Sequence, residues 1–213
     1  MAIKPILFNA EMVRVILDGR KTCTRRICKD ANECTVPDMD FYNADRRTYA
    51  VYNFVDKEHM EQLSTAERTC PICTGDILYV RETWKKAPNG YYYYEDWQRN
   101  DIADITKWKP SIHMPKEAAR IWLKVMNVRV ERLQEITDEQ AKREGIQYDE
   151  CPTGFTWKQE TDMHNCYTTP IGAMQALWNS TIKKSDLDRY GWDANPYVWV
   201  ISFERCEKPT EMR

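Results

Sequence analysis

Residues 120–145 read RIWLKVMNVRVERLQEITDEQAKREG. In the first half Ile121, Leu123 and Val125 alternate with polar or interfacial positions; after Met126 and Asn127 the alternation resumes with Val128 and Val130. That spacing predicts a long strand or a hairpin-like bend. The period then changes. Thr137 is placed to cap a helix, Asp138 and Glu139 fall in its first turn and Gly145 is its stop, so a helix is expected over 137–145. Strands and short helices mixed in this way, without a repeated strand–helix alternation, predict an α+β domain built on a small sheet or barrel.

Upstream, PILF at 5–8 is a short apolar run that ends at Asn9, which can cap a helix through 10–18 with Met12, Val13, Val15, Ile16 and Leu17 as its stripe. Gly19 stops that helix, and TCTRRI at 22–27 leaves the turn as a strand. GDILYVRETW at 75–84 alternates Ile77, Tyr79 and Arg81 against Leu78, Val80 and Glu82, as a strand with at least one buried face does. Downstream, Pro170 opens a helix over 170–182 with Met174, Leu177, Trp178 and Ile182 buried, and YVWVISFER at 197–205 is a terminal strand. Three polar stretches, approximately 29–69, 86–117 and 147–168, read as loop-rich insertions, the first carrying a strand YAVYNF at 49–54. The whole of 1–213 is expected to be one domain.

The chain of 213 residues is 42% hydrophobic and 12% aromatic, well away from a disordered composition. A net charge of −2 and a pI near 6.0 argue against a protein that coats nucleic acid, while leaving room for a local phosphate-binding patch. No window approaches the ~18 apolar residues of a membrane span, and MAIKPILFNAEM carries no cleavage pattern, so a cytoplasmic protein is expected. Its eight cysteines are then expected to be reduced thiols. Cys70-Pro-Ile-Cys73 has the spacing of half a zinc site, but the other ligands would have to come from Cys23, Cys28, Cys34, Cys151, His164 or Cys166, so free thiols are the expected state. No P-loop, dinucleotide fingerprint or paired-histidine motif is present, and no cofactor is expected.

The chemistry-bearing stretch is GRKTCTRR at 19–26. Its Lys21, Thr24, Arg20, Arg25 and Arg26 suit phosphate binding, catalysis on a held substrate, or a plain exposed strand. The segment and the order of elements resemble the ASCH superfamily, whose small barrel is related to the PUA RNA-binding domain. The family pattern G-x-K-x-x-E-x-R falls on Gly19, Lys21, Thr24 and Arg26, with Thr24 replacing the Glu. That departure is similar to the bacterial branch of amidohydrolases that remove the acetyl group of N4-acetylcytidine. The resemblance implies Lys21, Thr24 and Glu144 as catalytic residues, with Glu144 supplied by LQEITDEQAKREGI. Over nearly its whole length the chain also resembles phage and prophage ASCH proteins, through KPILFN, GDILYVRETW, KPSIHMP and NPYVWVISF.

An amide hydrolase without metal needs a nucleophile, a group to carry its proton and a partner for the oxyanion. Thr24 is the candidate nucleophile. Lys21, with an ordinary pKa of about 10.4, serves as base only if its neighbours lower it, and otherwise as the oxyanion's partner. Glu144, at a helix C-terminus, suits a general acid. Three residues apart on a regular strand, Lys21 and Thr24 would face opposite ways, so Lys21 is expected in the turn or beside a bulge. Arg20, Arg25, Arg26, Glu82, Trp84 and His113 are candidate substrate-binding residues. Tyr91, Tyr92, Tyr93, Tyr94 and Trp97 either stack a base or pack as a two-sided strand. The partner so implied is a modified nucleoside or RNA. The alternatives are a non-catalytic RNA-binding module, whose arginines hold phosphate, and a phage protein engaging a host partner through its insertions.

Overall fold

The described part of the computed structural model comprises residues 1–32, 48–54, 62–69, 71–99, 107–151, 154–158 and 167–210. In chain order its elements are β1 (Ile3–Leu7), α1 (Ala10–Leu17), β2 (Cys23–Ile27), α2 (Lys29–Asn32), β3 (Thr48–Phe54), β4 (Gln62–Thr69), β5 (Ile77–Arg81), β6 (Trp84–Ala87), β7 (Gly90–Tyr93), α3 (Tyr94–Arg99), β8 (Trp122–Arg132), α4 (Asp138–Arg143), β9 (Gln147–Cys151), β10 (Gly154–Lys158), α5 (Pro170–Thr181), α6 (Leu187–Tyr190) and β11 (Tyr197–Cys206). The mixture is α+β.

Local signals explain where the helices begin. The Asn9 side chain accepts from the Met12 N–H at 2.8 Å, and the Thr169 hydroxyl accepts from Gly172 at 3.1 Å with Pro170 in the first turn of α5. Thr137 and Gln140 cap one another reciprocally at the start of α4.

Five strands form one mixed sheet in the order β1-β5-β8-β11-β2, in which only the β1–β5 pair is parallel. Residues 122–132 are a single strand and not a hairpin. The register against β11 slips by one residue where Asn127 faces Ser202 and Val125 faces Phe203, leaving Met126 as the extra residue. This bulge resets the alternation, which is why Leu123 and Val125 before it, and Val128 after it, are all buried while Met126 and Asn127 are exposed.

The expected barrel is replaced by an open sheet: β1 and β2 are its two edges, and no ladder joins them among the described residues. The edges nevertheless come close, because the Arg26 Nη2 on β2 donates to the Leu7 carbonyl on β1 at 2.9 Å. Pro5, which has no N–H to offer a further strand, suits β1 to an edge.

The stretches expected to be loop-rich contain regular structure. The pairs β3–β4, β6–β7 and β9–β10 are each a two-stranded antiparallel sheet. The strand expected through 75–84 stops at Arg81, and Trp84 opens β6, so VRETW straddles two elements.

The core has three clusters. Val13 and Ile16 of α1 pack with Leu78, Val80, Leu123, Trp199 and Ile201; α4 and α5 cover Val198 and Val200 with Ala141, Met174 and Trp178; and Tyr79, Trp84, Met114 and Trp122 form the third. Among the described residues no helix is long and apolar enough to cross a membrane.

Candidate functional site

Two helix ends that each stop on a glycine meet at the edge of the sheet. Gly19 at φ +76° turns the chain at the end of α1, and the N–H groups of Arg20 and Lys21 both donate to the Val15 carbonyl, at 2.9 and 3.0 Å. Lys21 therefore lies in the turn, two residues before β2, and the parity that would separate it from Thr24 on a regular strand does not apply. At the end of α4, Gly145 sits at φ +106°, and a Cβ there would lie 2.9 Å from Val15 Cγ2. Only glycine lets the end of α4 approach α1 this closely. The Thr22 N–H completes the junction by donating to the Arg143 carbonyl at 2.9 Å.

This junction brings together side chains that the sequence separates by more than a hundred positions. Lys21 Nζ donates to Glu144 Oε2 at 2.6 Å and to the Glu144 carbonyl at 2.8 Å, so it pairs with the carboxylate and caps the helix end at once. Arg25 Nη1 donates to Glu144 Oε1 at 3.1 Å; its Nη2 donates to Glu131 at 2.6 Å and to Gln140 at 2.7 Å. The Lys21, Arg25 and Glu144 side chains are all buried. Both oxygens of Glu144 are engaged as acceptors of cationic donors. The general-acid role expected of it is thus less suited to the geometry than that of a held carboxylate.

Thr24 is buried as well. With Arg25, Arg26 and Glu144 it lines one side of a cavity of about 30 Å3, closed on the other by Met174, Leu177, Trp178 and Thr181 of α5. That volume is about one water's share of the liquid. Among the described residues the Thr24 hydroxyl makes no hydrogen bond to Lys21 or Glu144, whereas those two bond each other. The Arg25 Nε, also buried, has no partner among the described residues. Next to Thr24 on the chain, Cys23 places its sulfur 3.8 Å from the Gln140 carbonyl, and burial, with the Glu144 carboxylate adding to it, pushes its thiol up to about 12. It is no nucleophile at neutral pH.

The remaining candidates fall elsewhere. Arg20 bonds Gln147 at 2.8 Å and Asp18 at 3.0 Å on the surface. Arg26 borders the small cavity but turns its guanidinium towards β1 and lies 5.3 Å from the Phe8 ring. Glu82 lies in another buried cluster. Arg120 holds it by two bonds of 2.9 Å and grips Asp96 at 2.7 and 2.8 Å, with its guanidinium 4.0 Å from the Tyr93 ring centre. Burial pushes the Glu82 carboxyl up, and the Arg120 pair pulls it back. Trp84 is packed in the third core cluster, and His113 is exposed in a short 3-10 turn.

Of the tyrosines, Tyr91 packs on Trp84 and Tyr93 donates to the Ala118 carbonyl at 2.6 Å, as the packing alternative has it, but the strand ends at Tyr93: Tyr94 opens α3, which also holds Trp97, and meets Trp108 edge-on. The Trp97 side chain lies outside the described residues, as do Cys34, Cys70, His164 and Cys166. Cys23, Cys28 and Cys73 are buried, and no group of metal-ligating side chains occurs among the described residues.

Glu131, Gln140, Asp96 and Arg120 were not legible as partners in the sequence, since no periodicity links positions on different elements. The chain matches no protein-family model, no curated protein and no solved structure. The ASCH resemblance expected from the sequence thus has no support beyond the short motifs.

Proposed function

We propose that the protein is an ASCH-type, PUA-related nucleoside-binding protein that hydrolyses the N4-acyl amide of cytidine or a related modified nucleoside, using Thr24, Lys21 and Glu144. The observation that carries this reading is the buried 2.6 Å contact between Lys21 and Glu144 beside a cavity whose wall contains both Thr24 and Glu144. Held by two cations, Glu144 is the proton acceptor, and Lys21 positions and charge-balances it.

In that scheme Thr24 Oγ1 attacks the acyl carbon and passes its proton to Glu144. The negative charge moves to the carbonyl oxygen, where the unpartnered Nε–H of Arg25 is the available donor. Collapse breaks the C–N bond, and the departing amine takes the proton from Glu144. Water, deprotonated by the same carboxylate, then cleaves the threonyl ester, releasing the acid and restoring the hydroxyl.

The 30 Å3 cavity requires that α5 shift for a nucleoside to reach Thr24. The same volume counts against turnover in this conformation and leaves a second reading, a non-catalytic RNA-binding domain whose arginines hold phosphate. The deciding assay incubates purified protein with N4-acetylcytidine and follows cytidine and acetate. Release that Thr24→Ala and Glu144→Gln each abolish is the expected result. Binding of the nucleoside without release by the unsubstituted protein selects the second reading, and neither binding nor release sinks both.

A further inference from the structure

The open edge of the sheet encloses a second, much larger cavity. It occupies about 410 Å3, within the range of small-molecule sites, and lies between the edge strands β1 and β2 over the inner face of β11. Its walls are apolar, with Ile6, Val128, Trp199 and Ile201 among them. Two guanidinium groups, Arg26 and Arg81, border it.

These arginines differ from the others near the core. Arg14, Arg25, Arg120 and Arg129 are paired with carboxylates. Arg26 instead donates to the carbonyls of Arg25 and Leu7, and Arg81 donates to the Ile112 carbonyl at 3.2 Å and the Tyr79 hydroxyl at 3.3 Å. Neither forms an ion pair among the described residues, and the buried Nε of Arg81 has no partner there. Arg26 feels the Glu144 carboxylate only at a distance and Arg81 has no carboxylate paired with it among the described residues, so the two cations at the border of an apolar hollow leave an electrostatic demand that water meets only partly. Among the described residues the walls offer no side-chain acceptor, and besides these guanidiniums the one side-chain donor is the Trp199 indole N–H, so the donor and acceptor pattern of a nucleobase edge would go largely unread.

We propose that this cavity is a binding site for a small amphipathic anion: a compact apolar body seated against Trp199 and Ile201, with a carboxylate or phosphate head between Arg26 and Arg81. The site is separate from the Lys21–Glu144 cluster and does not depend on the hydrolase reading; Arg26, which borders both cavities, is the link between them.

Titration calorimetry with 2-naphthoate, 2-naphthyl phosphate and neutral 2-naphthamide tests it on the full chain. One site is expected, with at least one anion bound about tenfold or more tightly than the amide, as a charge-assisted bond implies. The better of the two heads identifies the natural one. Arg81→Gln should remove about that tenfold preference and leave amide binding unchanged. Leu7→Trp, at a half-exposed position in the cavity wall, should abolish binding of all three while the thermal unfolding midpoint stays within a few degrees. Equal affinity for the amide, absence of binding by both anions, or anion binding that survives Leu7→Trp with unfolding unchanged would each overturn the proposal. If Leu7→Trp does not fold, the Arg81→Gln comparison decides alone.

Discussion

Two buried carboxylates, Glu82 and Glu144, each sit against arginine, yet they have opposite surroundings. Glu82 is held by two parallel bonds to Arg120, whose remaining nitrogen grips Asp96 and whose face lies on Tyr93. Each of its oxygens accepts one charge-assisted bond from the same guanidinium, and no cavity opens on it among those described. Glu144 is instead shared between two cations from different elements and borders a water-sized space whose wall also contains Thr24. The sequence around Glu82, Arg81-Glu82-Thr83-Trp84, is the richer in reactive side chains, but closure of the geometry, not composition, separates a structural pair from a candidate site. Charged groups satisfied in full rigidify a core; a carboxylate beside a cavity remains accessible to a reacting group.

The sharpest way to break this contrast is to remove Glu144. Glu144→Ala leaves Lys21 and Arg25 buried, Lys21 with no other carboxylate partner among the described residues, and should lower unfolding stability by about 3–5 kcal/mol in urea melts. The double change Lys21→Met with Glu144→Met, which removes ion and counter-ion together, should recover most of that loss. Recovery by the double variant would show that the pair is kept for reasons other than stability.

Glu82→Ala should cost less, about 2–4 kcal/mol, because Arg120 retains Asp96 and is a quarter exposed. It should leave any turnover of N4-acetylcytidine unchanged once the protein is folded. A loss of turnover in proportion to that of Glu144→Gln would erase the distinction between the two clusters.

Gly145→Ala tests the junction without touching a charge. Positive φ and the 2.9 Å approach to Val15 together should cost about 1–3 kcal/mol. Its diagnostic readout is crystallographic: a lengthened Lys21–Glu144 contact, with the Glu82–Arg120 contact unmoved.

The smallest effect concerns Cys23. An ordinary thiol titrates near 9.0, whereas this one is pushed up to about 12. Between those values the unfolded chain loses its proton first, so the stability present below pH 9 is lost as pH rises towards 12. Replacing Cys23 by Ala should flatten that alkaline slope, and peptide mapping after iodoacetamide treatment at pH 8 should find Cys23 unmodified in the folded protein. Rapid labelling would mean that the Glu144 cluster is open to solvent.

Much of the chain was legible residue by residue. Asn9 and Thr137 announced two helix starts, because a capping side chain answers to N–H groups two or three positions away, and Pro170 announced a third, because its fixed φ and missing N–H suit a first turn. Gly19 and Gly145 announced the stops, and the β-rich composition of 197–205 announced β11. Other features were half legible. The pause at Met126-Asn127 was visible as a break in period, but a bulge and a hairpin make the same break in one strand; only the partner β11 distinguishes them. Within the polar stretches the strand at 49–54 was expected and is β3, whereas its partner β4 and the pairs β6–β7 and β9–β10 were not, because short strands without a clear apolar alternation give little signal.

For the site, Lys21, Thr24 and Glu144 were singled out by motif resemblance, while Arg25's partners and the bonding of Arg120 to Glu82 and Asp96 lay beyond any local pattern. The amino-acid sequence by itself determined the helix limits, the α+β class and the basic character of residues 19–26, since these depend on hydrogen bonds and periodicities that span a few residues. Tertiary structure alone decided that Lys21 meets Glu144, that Glu82 is closed off by Arg120, that the sheet stays open, and that Arg26 and Arg81 share a cavity. Those outcomes depend on contacts between residues tens to more than a hundred positions apart, and the free energy of such contacts is set by burial and geometry, neither of which a linear sequence encodes locally.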